Sequence, residues 1–270
     1  MTPRLFLAVA GLEARSSMSY RVDFWIGILA APLAQLAISY AVWTSIFAAR
    51  GTEAIAGLGL ADLVRYYVAA ILVGRLTQGR EFNDAVMSEI YQGDLNRYLV
   101  YPVAYGAIKY AQHLGSLVPL VLQVAVMAAA AHAFVPGGSI ADAPPTRIAM
   151  CAVSIGVANA MSFALGFQIQ CVAFWADNVW SLVATRQFVQ TLFGGLWFPL
   201  AVFPAAWREV LEWLPFRFIY DVPARVLLGQ ATVEEWTSAV ALCAGWTVVF
   251  VASGALVWRA GRRRYTGVGM

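Results

Sequence analysis

Charge is scarce in this chain: 12% of its 270 residues are charged, against roughly 25% in an ordinary soluble domain. Lysine is nearly absent, with Lys109 the single example. No phosphate-loop glycines precede it and no G-x-x-x-x-G-K-[ST] pattern occurs, which excludes ATP binding by that means. Histidine is limited to His113 and His132, nineteen residues apart. That is roughly 28 Å along a helix, too far to share a metal. The three cysteines, Cys151, Cys171 and Cys243, are odd in number and lie inside apolar runs, so packing rather than a disulfide framework is their role. A cleavable leader is not expected, because Leu5–Leu12 is followed by Glu13, Arg15 and Arg21 instead of a small-residue cleavage site. The clear apolar runs also lack the paired acids, or nucleophile and base, that intramembrane catalysis needs.

What is abundant is hydrophobic length. The chain is 61% hydrophobic. Phe24–Ala49, Tyr110–Ala141, Ile148–Ala176, Gln187–Trp207 and Trp236–Trp258 each reach the ~20 residues a helix needs to cross a bilayer. Leu58–Gly79 makes a sixth span. Its uncharged part, Tyr66–Gly74, is short, but Arg75 lies near one end where it can snorkel, and Asp62 and Arg65 share a helical face near the other. The expected fold class is all-α, a single polytopic membrane bundle over 1–270 with six transmembrane helices. An interfacial helix over 1–21 precedes them, since residues 5, 6, 9 and 12 fall on one face, and re-entrant helices come before the last span. Six spans put both termini on one side. Placing them in the cytoplasm collects twelve of the eighteen basic residues there, including Arg262-Arg263-Arg264 beside the last span. This obeys the positive-inside rule and points to an inner or plasma membrane. Pro136-Gly137-Gly138 and Pro144-Pro145 then mark an outer loop, and Asp177 caps the turn after the fourth span.

Polar residues concentrate in three places. The outer segment 199–235 holds four prolines among tryptophans and charged side chains. It is too polar to span a bilayer and too aromatic for a free loop, so it reads as short helices that dip into the outer leaflet and return. Trp207, Arg208, Glu212, Arg217 and Asp221 then form either an outer gate or a cap that seals the bundle. Within the spans, Gln35 and Ser39 share a face at i,i+4, as do Gln187 and Thr191. Together with Gln123 and Asn159 they are candidates for a substrate path, against the commoner role of bonding one helix to another; Ser162, Gln168 and Gln170 join the same inventory. Their lack of charge suits an amphipathic or apolar substrate better than an ion.

The third place is the charged interruption at 80–102. Glu81, Asp84, Ser88 and Gln92 follow helical spacing, and Phe82, Val86 and Ile90 mark the opposing face. Such a helix lays its apolar stripe on the bundle and its acidic stripe toward the cytoplasm. Gly93 supplies the left-handed residue that ends it. Asp94 is an N-cap for a second short helix carrying Leu95, Tyr98 and Leu99, which Pro102 stops. The run Glu89-Ile90-Tyr91-Gln92-Gly93-Asp94-Leu95, followed by Pro102-Val103, resembles the signature of ABC-2-type permeases. The branch it resembles carries an isoleucine, Gly-Asp or Gly-Glu, a leucine, and Arg-Pro-Val. The likeness covers the whole chain in architecture and about fifteen residues in motif; Tyr101 departs from it, standing where the branch has arginine.

The resemblance implies a permease subunit of an ATP-driven exporter. It implies that the loop after the second span holds a coupling helix that docks on the ATPase, with Glu81, Asp84, Glu89, Gly93, Asp94 and Arg97 at that interface. It further implies two cytoplasmic ATP-binding subunits as partners, a second permease (a different chain or a second copy) and membrane lipid, with no nucleic acid. No cofactor is then bound directly, and ATP and Mg belong to the partner ATPase subunits. The alternative is a membrane-embedded enzyme acting on lipid-linked substrates, which needs an acid–base pair from Glu209, Glu212 or Asp221. A membrane scaffold is a third reading, which the polar span residues neither support nor exclude.

Overall fold

The structure, a computed structural model, describes residues 1–18, 21–79, 85–134 and 143–266, without the side chains of 21–29 and 132–134. Glu81 and Asp84, the Pro136-Gly137-Gly138 loop and the side chain of His132 therefore lie outside the described residues. In chain order the helices are α1 (Pro3–Met18), α2 (Arg21–Arg50), α3 (Leu60–Gln78), α4 (Ala85–Tyr91), α5 (Asn96–Leu99), α6 (Tyr105–Phe134), α7 (Pro145–Gln170), α8 (Trp180–Phe193), α9 (Ala205–Trp213), α10 (Asp221–Leu227) and α11 (Val233–Arg262). The fold is an all-helical polytopic bundle, with no strand among the described residues.

Hydrophobic length becomes helix length. Parts of α2, α6, α7 and α11 are long and apolar enough to cross a membrane. Local chemistry sets their starts. Pro145 occupies the first turn of α7, where its missing N–H costs nothing. Thr232 and Glu235 exchange hydrogen bonds in a capping box at the start of α11. Small residues then let helices close on one another. A Cβ added at Gly115 of α6 would overlap the Ala10 backbone of α1, and one at Gly261 of α11 would overlap the Phe174 ring. The α7–α11 pair is the most extensive contact in the bundle, and α1–α6 comes next. On α1 the packed face is Ala14 and Ser17 with the half-buried Phe6 and Ala10, while Leu5, Leu7 and Leu12 stay exposed. Of residues 5, 6, 9 and 12, Phe6 and Val9 are half-buried, and Leu5 and Leu12 are exposed.

The expected second and fifth spans differ from the other four. Helix α3 carries Asp62, Arg65 and Arg75, yet most of it is buried, with Ala69 and Ala70 fully so and α2, α6, α7 and α10 around it. Protein rather than lipid surrounds it, so its charges do not need a lipid-facing apolar stripe. Asp62 and Arg65 pair at 2.7 Å as their spacing predicts. Helix α8 covers Trp180–Phe193 instead of the expected span Gln187–Trp207. Its 14 residues rise about 21 Å, short of a bilayer core. The helix stops because Gly194 and Gly195 make a turn no larger residue can make: Gly195 has φ +97°, and a Cβ at Gly194 would overlap Tyr220 and the Gln190 carbonyl. Asn178, not Asp177, caps the preceding turn, its Oδ1 accepting from the Trp180 N–H at 3.0 Å.

Candidate functional site: a cavity, a septum and a hairpin

A cavity of about 1090 Å³ opens between the helices at the end of the bundle occupied by α4 and α5. Of the candidate path residues, Gln35, Gln187 and Thr191 line it. Ser39, Gln123 and Asn159 do not; all three are buried elsewhere in the bundle. Ser39 accepts from Gln35 at 3.4 Å. Asn159 holds two helices together, its Nδ2 donating to the carbonyl oxygens of Leu76 (3.0 Å) and Thr77 (3.3 Å) at the end of α3, with His113 Nε2 also at 3.0 Å. The wall is not uncharged. Arg75, Arg97, Lys109 and Arg186 line it with Glu13 and Glu89, so the expectation of an uncharged path is corrected. Arg186 escapes a hydropathy reading because a charge beside an apolar run marks a helix end, whereas here it sits in the middle of α8.

The far wall is a thin septum built by the re-entrant segment. Tyr220 lines the cavity, while its neighbour Asp221 lines a second, smaller pocket of about 330 Å³ on the other side. Tyr220 is wedged between α3 and the Gly194 turn, since a Cβ at either Gly74 or Gly194 would overlap its ring. Hydrogen bonds staple the septum to the bundle. Thr77 Oγ1 donates to the Ile219 carbonyl at 2.8 Å, the Asp221 N–H donates to the Gly194 carbonyl at 3.1 Å, and Tyr67 Oη donates to the Trp197 carbonyl at 2.8 Å. Tyr66 Oη lies 3.0 Å from the Gly195 carbonyl and 3.2 Å from Asp221 Oδ1. Of the expected gate residues, Arg208, Glu212, Arg217 and Asp221 all line the smaller pocket. Trp207 does not; it is exposed on α9 beside the exposed Val210 and Trp213.

The hairpin α4–α5 forms the lip of the large cavity. Val86 and Ile90 are buried as their spacing predicts, and Gly93 ends α4 in the left-handed region with φ +78°. Asp94 is exposed and makes no side-chain cap; Leu95 is the residue at the start of α5 and is buried. Glu89, expected at the docking face, turns inward with 7% exposure. Its Oε2 accepts from Tyr105 Oη at 2.6 Å and its Oε1 accepts from Lys109 Nζ at 2.6 Å, with Arg97 Nη2 at 3.4 Å. The ammonium of Lys109 also lies 4.6 Å from the Tyr98 ring centre. Gln170 Oε1, at the end of α7, accepts from the N–H groups of Val86 (3.0 Å) and Met87 (3.3 Å), so a span residue caps the hairpin helix. Tyr91 Oη donates to the Ala176 carbonyl at 2.7 Å, and Tyr105 stacks on Trp258 of α11 at 4.6 Å. Asp94, Asn96, Arg97, Leu99, Val100 and Tyr101 face outward at the tip.

Long apolar helices, a charge-bearing cavity walled in part by the segment before α11, and the hairpin at its lip describe a multi-pass membrane protein. The chain belongs to the ABC-2 family of transporter proteins: the model of the ABC-2 family transporter protein matches residues 33–269. That span contains every element described above except α1 and the start of α2. No curated protein matches the chain. Membership makes the chain the permease, or membrane, subunit of an ABC transporter, and lends nothing to a membrane enzyme working through Glu209, Glu212 or Asp221.

Proposed function

We propose that this permease works in export and is driven by two cytoplasmic ATP-binding subunits that dock on the α4–α5 hairpin. ATP and Mg are held by those subunits, the termini and the hairpin face the cytoplasm, and a second permease, a different chain or a second copy, completes the pathway in the inner or plasma membrane. The observation that carries this reading is Glu89: it belongs to the hairpin, lines the cavity, and is bonded to Tyr105 and Lys109 of α6. A push on the hairpin is therefore delivered to the cavity wall without an intervening loop. The exposed tip, with Asp94, Arg97 and the apolar Leu99, Val100 and Tyr101, offers a docking surface of mixed charge and apolar character. Glu89 and Gly93 shape that surface from within, and Glu81 and Asp84 extend it in the sequence. In this cycle the septum serves as the outer gate, and opening it joins the cavity to the smaller pocket.

Co-purification from native membranes tests the proposal. Wild-type protein is expected to bring down an ATP-binding subunit. Asp94→Lys is expected to insert normally yet lose that subunit and transport, because the exposed charge is reversed where no fold contact depends on it. Normal transport by Asp94→Lys removes the hairpin from the coupling role.

A further inference from the structure

Three arginines converge on the smaller pocket from three successive elements: Arg208 from α9, Arg217 from the turn at Pro215–Phe218 and Arg225 from α10. The ion pairs within 4.0 Å among the described residues are Asp62–Arg65, Glu89–Arg97 and Glu89–Lys109, none of which involves these arginines. Arg217 donates from Nη1 to the Glu212 carbonyl at 3.3 Å, and Arg225 donates from Nη2 to the Gln230 carbonyl at 3.1 Å. A guanidinium has five N–H donors, so most of their donor capacity is unspent on these contacts. Arg217 Nε is buried with no hydrogen-bond partner. A buried donor in that condition is costly unless something fills the site.

The pocket lining holds three arginines against two acids, Glu212 and Asp221. Glu212 is exposed at the rim. Asp221 is buried at the floor, and burial pushes its carboxyl up from the usual range against the pull of Arg225 and Arg217. Tyr66 has one hydroxyl proton for two acceptors, the Gly195 carbonyl and Asp221 Oδ1. The pocket volume of about 330 Å³ falls at the low end of ligand sites and suits a small polar group rather than an acyl chain. The exposed apolar residues of α9, Trp207, Val210 and Trp213, lie on the same helix as Arg208, an arrangement of aromatic side chains and cation that fits the headgroup level of a membrane.

We propose that this pocket binds a phosphate group, supplied by the headgroup of an anionic lipid. Arg217 and Arg225 hold its oxygens, Arg208 closes the rim, and α9 lies against the lipid that carries it. The inference goes beyond the transport reading and is independent of the ATPase, since binding requires only the purified permease.

The experiment measures binding of dihexanoyl phosphatidic acid, dihexanoylglycerol and inorganic phosphate to the full chain purified in a neutral detergent. Saturable binding of the phosphatidic acid is expected, with none for the neutral diacylglycerol. Arg217→Gln and Arg208→Gln are each expected to weaken it about tenfold, the loss of a charge-assisted hydrogen bond. Arg208 is exposed, so its variant decides the matter if Arg217→Gln does not fold. Failure of inorganic phosphate to displace the lipid supports a lipid headgroup; displacement supports the same oxyanion site with a soluble ligand and overturns the lipid source. Absence of saturable binding, or undiminished affinity in the folded variants, overturns the site itself.

Discussion

Lys109 is the only lysine in the chain, and its surroundings explain why a lysine is tolerated there. Its side chain is 3% exposed and the Glu89 side chain 10%, so both charges have left most of their water behind. A pair in that state is held by mutual attraction and by the further bond to Tyr105, and removing one partner strands the other. Lys109→Met is therefore expected to cost about 3 kcal/mol, read as a lowered unfolding midpoint in detergent. Glu89→Gln keeps an acceptor for Tyr105 without the charge, so the double variant Glu89→Gln/Lys109→Met is expected to be more stable than Lys109→Met alone. Simple addition of the two single losses would show that the residues are not coupled. Arg97, exposed and at 3.4 Å, contributes far less to the same carboxylate.

At the scale of elements, the hairpin depends on a cap it does not own. Gln170 belongs to α7 but satisfies the first N–H groups of α4, which is only seven residues long and has little stability in isolation. Gln170→Ala is expected to loosen α4 by about 1 kcal/mol, seen as roughly fivefold faster amide exchange over 85–91 with α7 unchanged. Gln170→Glu, which keeps the acceptor, is expected to restore protection. Equal exchange in all three proteins would show that the apolar stripe alone holds the helix. The hairpin also marks what was legible in the sequence. Its apolar stripe and its glycine turn follow from spacing and from the conformational freedom of Gly93. The inward turn of Glu89 was partly legible, since it lies at i+3 from Val86 on the buried face; its partners lie sixteen and twenty residues on and leave no local trace. Helices α3 and α8 were harder for one shared reason. Hydropathy treats a charge as the edge of a span, but Arg75 and Arg186 lie within helices and line a cavity, which receives them in place of lipid. The re-entrant segment was legible as broken helices from its prolines, whereas its depth depends on Gly74 and Gly194, which a sequence shows only as glycines.

At the scale of the whole molecule, the large cavity and the small pocket meet across adjacent residues among those described. Tyr220 faces the large cavity and Asp221 the small pocket, and the Tyr220 ring is wedged against Gly74 and Gly194. Truncating that ring leaves the backbone staples from Thr77 and Gly194 in place, so the bundle is expected to keep its fold while losing its barrier. The prediction is read with Thr191→Cys, which puts a thiol on the large-cavity side, in vesicles with the pocket side outward. The native Cys151, Cys171 and Cys243 are buried and do not compete. A membrane-impermeant maleimide added outside is expected to leave Thr191→Cys unlabelled and to label Tyr220→Ala/Thr191→Cys. Truncation of Trp207, which lines neither compartment, is expected to change nothing in the same assay. Labelling of Thr191→Cys with Tyr220 intact would mean that the compartments already communicate, and that the resting barrier lies elsewhere than the septum. Labelling only after removal of Tyr220 would identify one aromatic ring as the closed gate, and would make its displacement the step that a push on the hairpin has to accomplish.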